Sequence, residues 1–402
     1  MNRILSRRNL SLASISSVGV AFAEIGSVRA GNATEVASRL KTVDVKQFGA
    51  VGDGVTDDAS AINKAIEEIR RVHLQLDGFS LGCRLLFPTG VYAVRSSVNL
   101  TMLRNINTVI DGQGSVVLGR CEGEPIIDAL GARWLTINDL TLLSDSDVLP
   151  SVGLQIGRVT LDVADDHHLT NVKILGAFSK ASLYNKGAET SSFEHVYLTN
   201  NYPQGYCLVQ DGLNHFDIKS KYINMSLVPN RDGSFNENIF VNCDFRHLAG
   251  GVPVWLGDTT RHDFIRCYAT TKGQFAFVIF SGPNGHTMLR VDCHCETIGL
   301  KNVFCFSAFS PKITIRGFSY IEHGCFAEEF VFFGDSNVKE IEIQNANLEI
   351  AMYRSNACRV FSAGAVWVVS GYYYSSDPVT WNGNGIFRGT VSLGSSVKYI
   401  EG

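Results

Sequence analysis

The chain has 402 residues, 45% hydrophobic and 18% charged, with a formal net charge of −4 at neutral pH. That balance supports a large buried core and excludes an intrinsically disordered chain. An acidic total argues against nucleic acid as a partner, while an anionic sugar polymer stays open, because a local cleft can be basic on an acidic protein.

The first thirty residues read as a processing segment. Ser6-Arg7-Arg8-Asn9-Leu10-Ser11 sets two arginines before a mildly apolar, Ser-rich run ending near Ala23, and Val28-Arg29-Ala30 offers small residues for cleavage. This arrangement resembles a twin-arginine export signal. Residues 1–30 are therefore expected to be the signal peptide and 31–402 a single domain, periplasmic or secreted. Cleavage would remove Arg3, Arg7, Arg8, Arg29 and Glu24, moving the formal charge from −4 to −7. The apolar run is too short and too polar for a stable anchor, and no later stretch approaches the roughly 18 apolar residues of a membrane span. No membrane insertion is expected after processing.

Further along, Val45-Lys46-Gln47-Phe48-Gly49-Ala50-Val51-Gly52-Asp53-Gly54-Val55-Thr56-Asp57-Asp58 reads as a strand entering a Gly/Asp reversal. Asp57 or Asp58 suits a helix N-cap. Ala61, Ile62, Ala65, Ile66 and Ile69 then recur at helical spacing. Leu85-Leu86-Phe87-Pro88-Thr89-Gly90-Val91-Tyr92-Ala93-Val94 gives two short strands around a Pro/Gly turn, and Ile110-Asp111-Gly112-Gln113-Gly114 a strand ending in another. In this order the three landmarks resemble the opening of the pectate-lyase-like superfamily, which includes rhamnogalacturonases, mannuronan epimerases and phage tailspikes. The resemblance implies an all-β fold, a right-handed parallel β-helix with a short N-terminal capping helix. It also implies a polysaccharide partner.

From residue 134 onward, short β-branched and aromatic runs alternate with Gly, Asn, Asp and Ser. Apolar anchors at Val172, Val196, Ile218, Phe240, Ile265, Val291, Ile315, Ile341 and Val368 are spaced by 22 to 27 residues, suiting one solenoid coil each. Stacked coils place like residues about 4.8 Å apart. The register predicts an inward ladder of Val241, Ile265, Val291, Ile315 and Ile341, with a thiol stack of Cys243, Cys267 and Cys293 two residues on. Between them Asn242, Arg266, Asp292, Arg316 and Glu342 are expected to form an outward row of ion pairs. Ten cysteines in an exported protein suggest disulfides. However, a twin-arginine substrate folds in the reducing cytoplasm, so mostly free, buried thiols are expected. The segment Trp367–Glu401 is read as closing the C-terminal end, with Tyr372-Tyr373-Tyr374 covering it.

For chemistry, hydrolysis requires two carboxylates; lyase or epimerase chemistry requires a base and a group that neutralises a uronic carboxylate. The catalytic set of the polygalacturonase-like branch is not reproduced. Asp165-Asp166 and Gly285-His286 are present, but Thr287 follows and no Arg-x-Lys lies at a suitable distance. The Tyr-Gly-x-Asp-Pro-His-Glu element of the epimerases is absent. Register alone brings Asp244, Tyr268 and His294 to one outward row, with Arg246, Thr270 and Glu296 in the next. Catalytic candidates are Asp244 and Glu296, with Asp258 or Asp263 as a second carboxylate. Substrate-binding candidates are Arg246, Trp255, His262 and His294, the indole as a sugar platform. Asp165-Asp166-His167-His168 reads as a turn with capping aspartates rather than a metal site, because adjacent strand residues point to opposite faces. No cofactor or metal is expected.

Three functions follow: an exported glycoside hydrolase cutting within a polysaccharide, a uronate lyase or C5-epimerase, or a non-catalytic carbohydrate-binding or exopolysaccharide-assembly protein. A monomer is expected, with a trimer, as in phage relatives, the alternative.

Overall fold

The computed structural model describes residues 41–75, 82–159, 165–211, 238–257, 261–281, 288–294, 300–308, 312–325, 329–336, 338–352, 359–362, 365–375 and 385–388. The expected signal peptide lies outside them. Residues from Thr42 onward form one compact unit.

The Gly/Asp reversal folds as its residues demand. Gly49, Gly52 and Gly54 all take positive φ, a conformation open to glycine without a Cβ clash. The helix Ala59–Gln75 follows, burying Ile62, Ala65, Ile66 and Ile69. Both aspartates are used. Asp57 accepts from the Ala59 N–H at 3.2 Å, while fully buried Asp58 accepts from Val51 and Gly52 at 2.7 and 3.1 Å. The capping helix is thus tied to the loop before it. Among the described residues no helix is long and apolar enough to cross a membrane.

Beyond the helix, parallel pairing repeats coil after coil, among the described residues in one sheet of 19 strands and one of 10. The larger sheet bends sharply, so each regular coil presents three faces. A first-face strand such as Asn238–Val241 meets a corner, continues as a second-face strand such as Asp244–His247, and turns into a third-face strand such as Val252–Leu256. Like strands stack in register: Phe193, Phe240 and Phe264 on the first face, Leu198, Phe245 and Ala269 on the second, Leu208, Val254, Phe277 and Phe304 on the third. This is the parallel β-helix expected from the sequence.

The corner between first and second faces corrects the expected register. Asp139, Asn171, His195, Asn242 and Arg266 occupy it with φ between 52° and 54°. That single left-handed residue interrupts alternation like a bulge. Phe240 and Phe264 therefore point inward, and Val241 and Ile265 lie half-buried outside, contrary to the predicted ladder. The next strand, Met288–His294, lacks the extra residue, so Ile265 faces Asp292 while Cys267 faces Cys293. The expected row of ion pairs dissolves for the same reason. Asn242 and Arg266 are corner residues, Arg316 lies opposite Gln344, and Glu342 is bound by Lys312 at 3.0 Å.

The thiol stack holds. Cys243, Cys267 and Cys293 are each 1% exposed, and Cys83, Cys121, Cys207 and Cys305 are likewise buried, all seven outside any disulfide. Burial pushes the Cys243 thiol well up. Cys267, enclosed in the same stack, shares that desolvation. The core is otherwise aromatic: Phe193, Phe240 and Phe264 stack at 4.5 and 4.8 Å, nearly parallel. Each such ring contributes about 1.5–3 kcal/mol by burial.

One stretch of interior is polar. His167, Ser191, Asn238 and His262 stand inward on consecutive coils, and Asn185 and Gln210 face them from the third face. Gln210 Oε1 accepts from Asn185 at 2.9 Å and Asn238 at 3.2 Å, and lies 3.3 Å from His262 Nε2. At the far end, Tyr372–Tyr374 pair in parallel with Asn347–Glu349 as part of the strand Val366–Ser375, which in turn pairs with Gly385–Arg388.

Candidate functional site

The second face carries an exposed polar strip. Its inward residues, Ile174, Leu198, Phe245 and Ala269, are apolar and enclosed, so the side chains between them must point out. Lys173, Tyr197, Asp244 and Tyr268 thereby fall on one line across consecutive coils, and the backbone register continues that line to His294. Arg246 and Thr270 form the next line.

Asp244 and Arg246 come together as predicted. Arg246 Nε lies 2.9 and 3.0 Å from the two carboxylate oxygens and Nη2 2.7 Å from Oδ2. The Asp244 carboxylate raises the Arg246 pKa further above its ordinary value. The guanidinium also stands 5.3 Å from the Tyr197 ring centroid, a cation–π distance. Burial raises the Tyr197 hydroxyl pKa, keeping it protonated. Tyr268, on the neighbouring rung, is 43% exposed. The corner extends the polar surface: Asn171 donates to Asp139 at 2.6 Å, and Asn242 meets His195 Nε2 at 3.4 Å. Two aromatic side chains flank a fixed carboxylate–guanidinium pair. Such a surface offers platforms for sugar rings and oriented partners for hydroxyl groups.

The other predicted residues separate. His294 joins the line by register, opposite Tyr268. Asp263 sits half-buried on the first face, across the corner from the strip, in register with Ile239 and Arg290. His262 is fully buried, because alternation turns it inward beside outward Asp263. Trp255 belongs to the third-face strand Val252–Leu256 rather than to a loop. It is 1% exposed and stacks on Phe280 at 6.0 Å, so its ring is closed to a polymer. Asp258 and Glu296 lie outside the described residues. Tyr197 and Lys173 were missed, although each directly precedes a buried aliphatic in its strand.

A second charged group sits where the third face turns into the first. Arg133 reaches Asp165 at 3.7 Å, Arg158 binds Glu189, and Asp165 and Glu189 bridge neighbouring coils. Burial raises both carboxyl pKa values above the ordinary range. Nearby, His167 is buried and His168 exposed, so the Asp165–His168 run does not converge on one point.

The pre-neck appendage protein of Bacillus phage B103 is 28% identical over 150 residues, 34% of this chain and 16% of that protein. The match therefore takes in about one sixth of that relative's length. Among solved structures, tailspike protein 2 from Escherichia coli O157:H7 bacteriophage CAB120 aligns with a TM-score of 0.51 at 10% identity, covering 86% of this chain and 46% of the tailspike. The A-module of a mannuronan C-5 epimerase from Azotobacter vinelandii aligns at 0.40 and 12%, covering 89% and 97%. At 10% identity the likeness to the tailspike is one of fold. A profile of the rhamnogalacturonase A/epimerase, pectate lyase-like family matches residues 42–244, half of the chain. On that match the protein belongs to the rhamnogalacturonase A/epimerase, pectate lyase-like family.

Proposed function

We propose that the chain is an exported, polysaccharide-active glycoside hydrolase that cuts within a polymer lying across the rungs of the second face. One observation carries the reading: Tyr197, Asp244 and Tyr268 occupy consecutive rungs, with Arg246 fixed beside them. A polymer crossing rungs meets a new side chain about every 4.8 Å. Asp244, charge-paired by Arg246, suits a base or a stabiliser of developing positive charge. The proton donor must then be a second carboxylate, and Glu296, two residues beyond His294, is the first choice, with Asp258 and Asp263 the alternatives. Arg246 and His294 bind sugar hydroxyls, while enclosed His262 and Trp255 support the coils rather than touch substrate.

A second reading, carbohydrate binding without cleavage, is favoured by the closeness of the Asp244–Arg246 pair, which leaves each charge already satisfied. A lyase or epimerase is less well served, since Arg246 is committed to Asp244 and another cation would have to meet the uronate. Reducing-end release from a panel of bacterial and plant polymers separates these. Hydrolysis predicts new reducing ends that fall at least a hundredfold with Asp244→Asn. Absorbance from an unsaturated sugar, or solvent deuterium entering the polymer, would move the assignment to lyase or epimerase. Binding with no product from any polymer would leave the binding reading.

A further inference from the structure

The turn into the first face carries a surface group that the strip does not use. Its left-handed position is held on three consecutive coils by Trp134, Asp166 and Thr190, with φ of 55°, 59° and 50°. An L-residue there costs about 1–2 kcal/mol, a cost that aspartate and asparagine offset by local hydrogen bonding and tryptophan does not. The other corner of the same coils is filled mostly by Asp, Asn and His. Trp134 is also 37% exposed, a large aromatic ring at the surface. A bulky residue kept in unfavourable backbone, with its ring turned to solvent, points to a role outside the fold.

Its surroundings define that role. The Arg133 guanidinium lies 4.8 Å from the Trp134 ring centroid, holding one side of the indole. Beside it, Thr190 donates to Asp166 at 2.8 Å, and His168 Nδ1 meets Ser192 Oγ at 2.7 Å on the next line outward. Beneath, the Arg133–Asp165 and Arg158–Glu189 pairs commit both arginines to carboxylates, and Asp166 has no cationic partner among the described residues. A rigid aromatic platform with carboxylate, imidazole and hydroxyl groups alongside fits a sugar ring: its C–H face on the indole and its hydroxyls on the polar groups. Asp166 would repel an anionic sugar.

We propose that Trp134, with Asp166 and His168 beside it, forms a binding subsite for a neutral sugar unit, separate from the second-face strip. The subsite rests on the reading of the chain as carbohydrate-active. The test uses the full chain and Trp134→Asn, a substitution suited to left-handed backbone and therefore expected to keep or raise the melting temperature. Cellohexaose, xylohexaose, mannohexaose and laminarihexaose are titrated against both by tryptophan emission and calorimetry. At least one is expected to bind, with affinity falling tenfold or more in Trp134→Asn. Arg71→Ala, on the capping helix and outside both surfaces, should leave that affinity unchanged. No binding of any neutral hexaose, binding of polygalacturonate alone, or affinity indifferent to Trp134→Asn would each overturn the subsite. Polymer cleavage by wild type is scored separately. Cleavage with a KM indifferent to Trp134→Asn would sink the subsite and keep the hydrolase reading, whereas hexaose binding without cleavage would do the reverse.

Discussion

His167 should make the protein acid-sensitive in a way that one substitution removes. Its ring is fully buried, and neither nitrogen has a hydrogen-bond partner among the described residues. Leu135 lies below it in register and Ser191 above, whose hydroxyl accepts from the His167 backbone N–H at 3.3 Å. Desolvation lowers its pKa from 6.5 to about 4, the Asp166 charge opposing weakly. Because the folded value is depressed, the unfolded chain takes up a proton between pH 6.5 and 4 that the folded chain refuses. Stability is therefore intact above pH 6.5 and lost as pH falls toward 4. A proton refused across each pH unit costs about 1.36 kcal/mol, so the loss is about 2 kcal/mol between pH 8 and pH 5 and about 3 kcal/mol below pH 4. His167→Leu should abolish this component and, by removing two unpaired nitrogens, leave stability at pH 8 equal or higher. Urea unfolding of both proteins from pH 8 to pH 5 measures the difference. A wild-type-minus-variant stability that stays flat across that range would refute the reasoning.

Other consequences are as direct. Asp58→Ala strands the Val51 and Gly52 amides and should cost about 3 kcal/mol, read as a lowered urea midpoint, with Asp58→Asn between. Phe264→Ala opens a gap in the ring stack and should cost about 3–5 kcal/mol in the same assay. The seven buried thiols should resist alkylation in the native state and label on denaturation, as peptide mapping would report; fast native labelling of Cys243 or Cys267 would contradict the enclosed stack.

How far the sequence speaks depends on whether a residue's direction is set locally. The capping helix was readable because Gly49, Gly52, Gly54 and the aspartates act within a few residues. The thiol stack and the Asp244–Tyr268–His294 line were readable because they lie within single strands repeating at near-constant spacing. The ladder through Val241 and Ile265 failed at the corner. Asn171 and Asn242 suit left-handed backbone, but Arg266 carries no such signature, and one uncounted residue there inverts every assignment before it. Trp255 failed differently. Alternation correctly sends it off the inner core, but cannot say that the outer side of the third face is itself apolar, where Val209, Val278 and Cys305 share its line and are buried too.

These failures share a cause that also explains where function can sit. In a stacked coil the inward columns are constrained by neighbours above and below, so Phe240 or Cys267 cannot change without both. The corners and outward lines are free of that constraint. Lys173, Tyr197, Asp244 and Tyr268 differ in charge and size on consecutive rungs, while the column just inside them stays aliphatic or aromatic. A uniform inner column supporting a heterogeneous outer one separates the residues that hold the fold from those that meet a ligand. On the proposed reading, the Asp244–Arg246 pair belongs to the surface that meets the ligand. Changing both partners should alter what the face binds before it alters how the chain folds, because the pair is partly exposed, with side chains 19% and 44% accessible, and a pair so placed contributes only about 0–1 kcal/mol to stability.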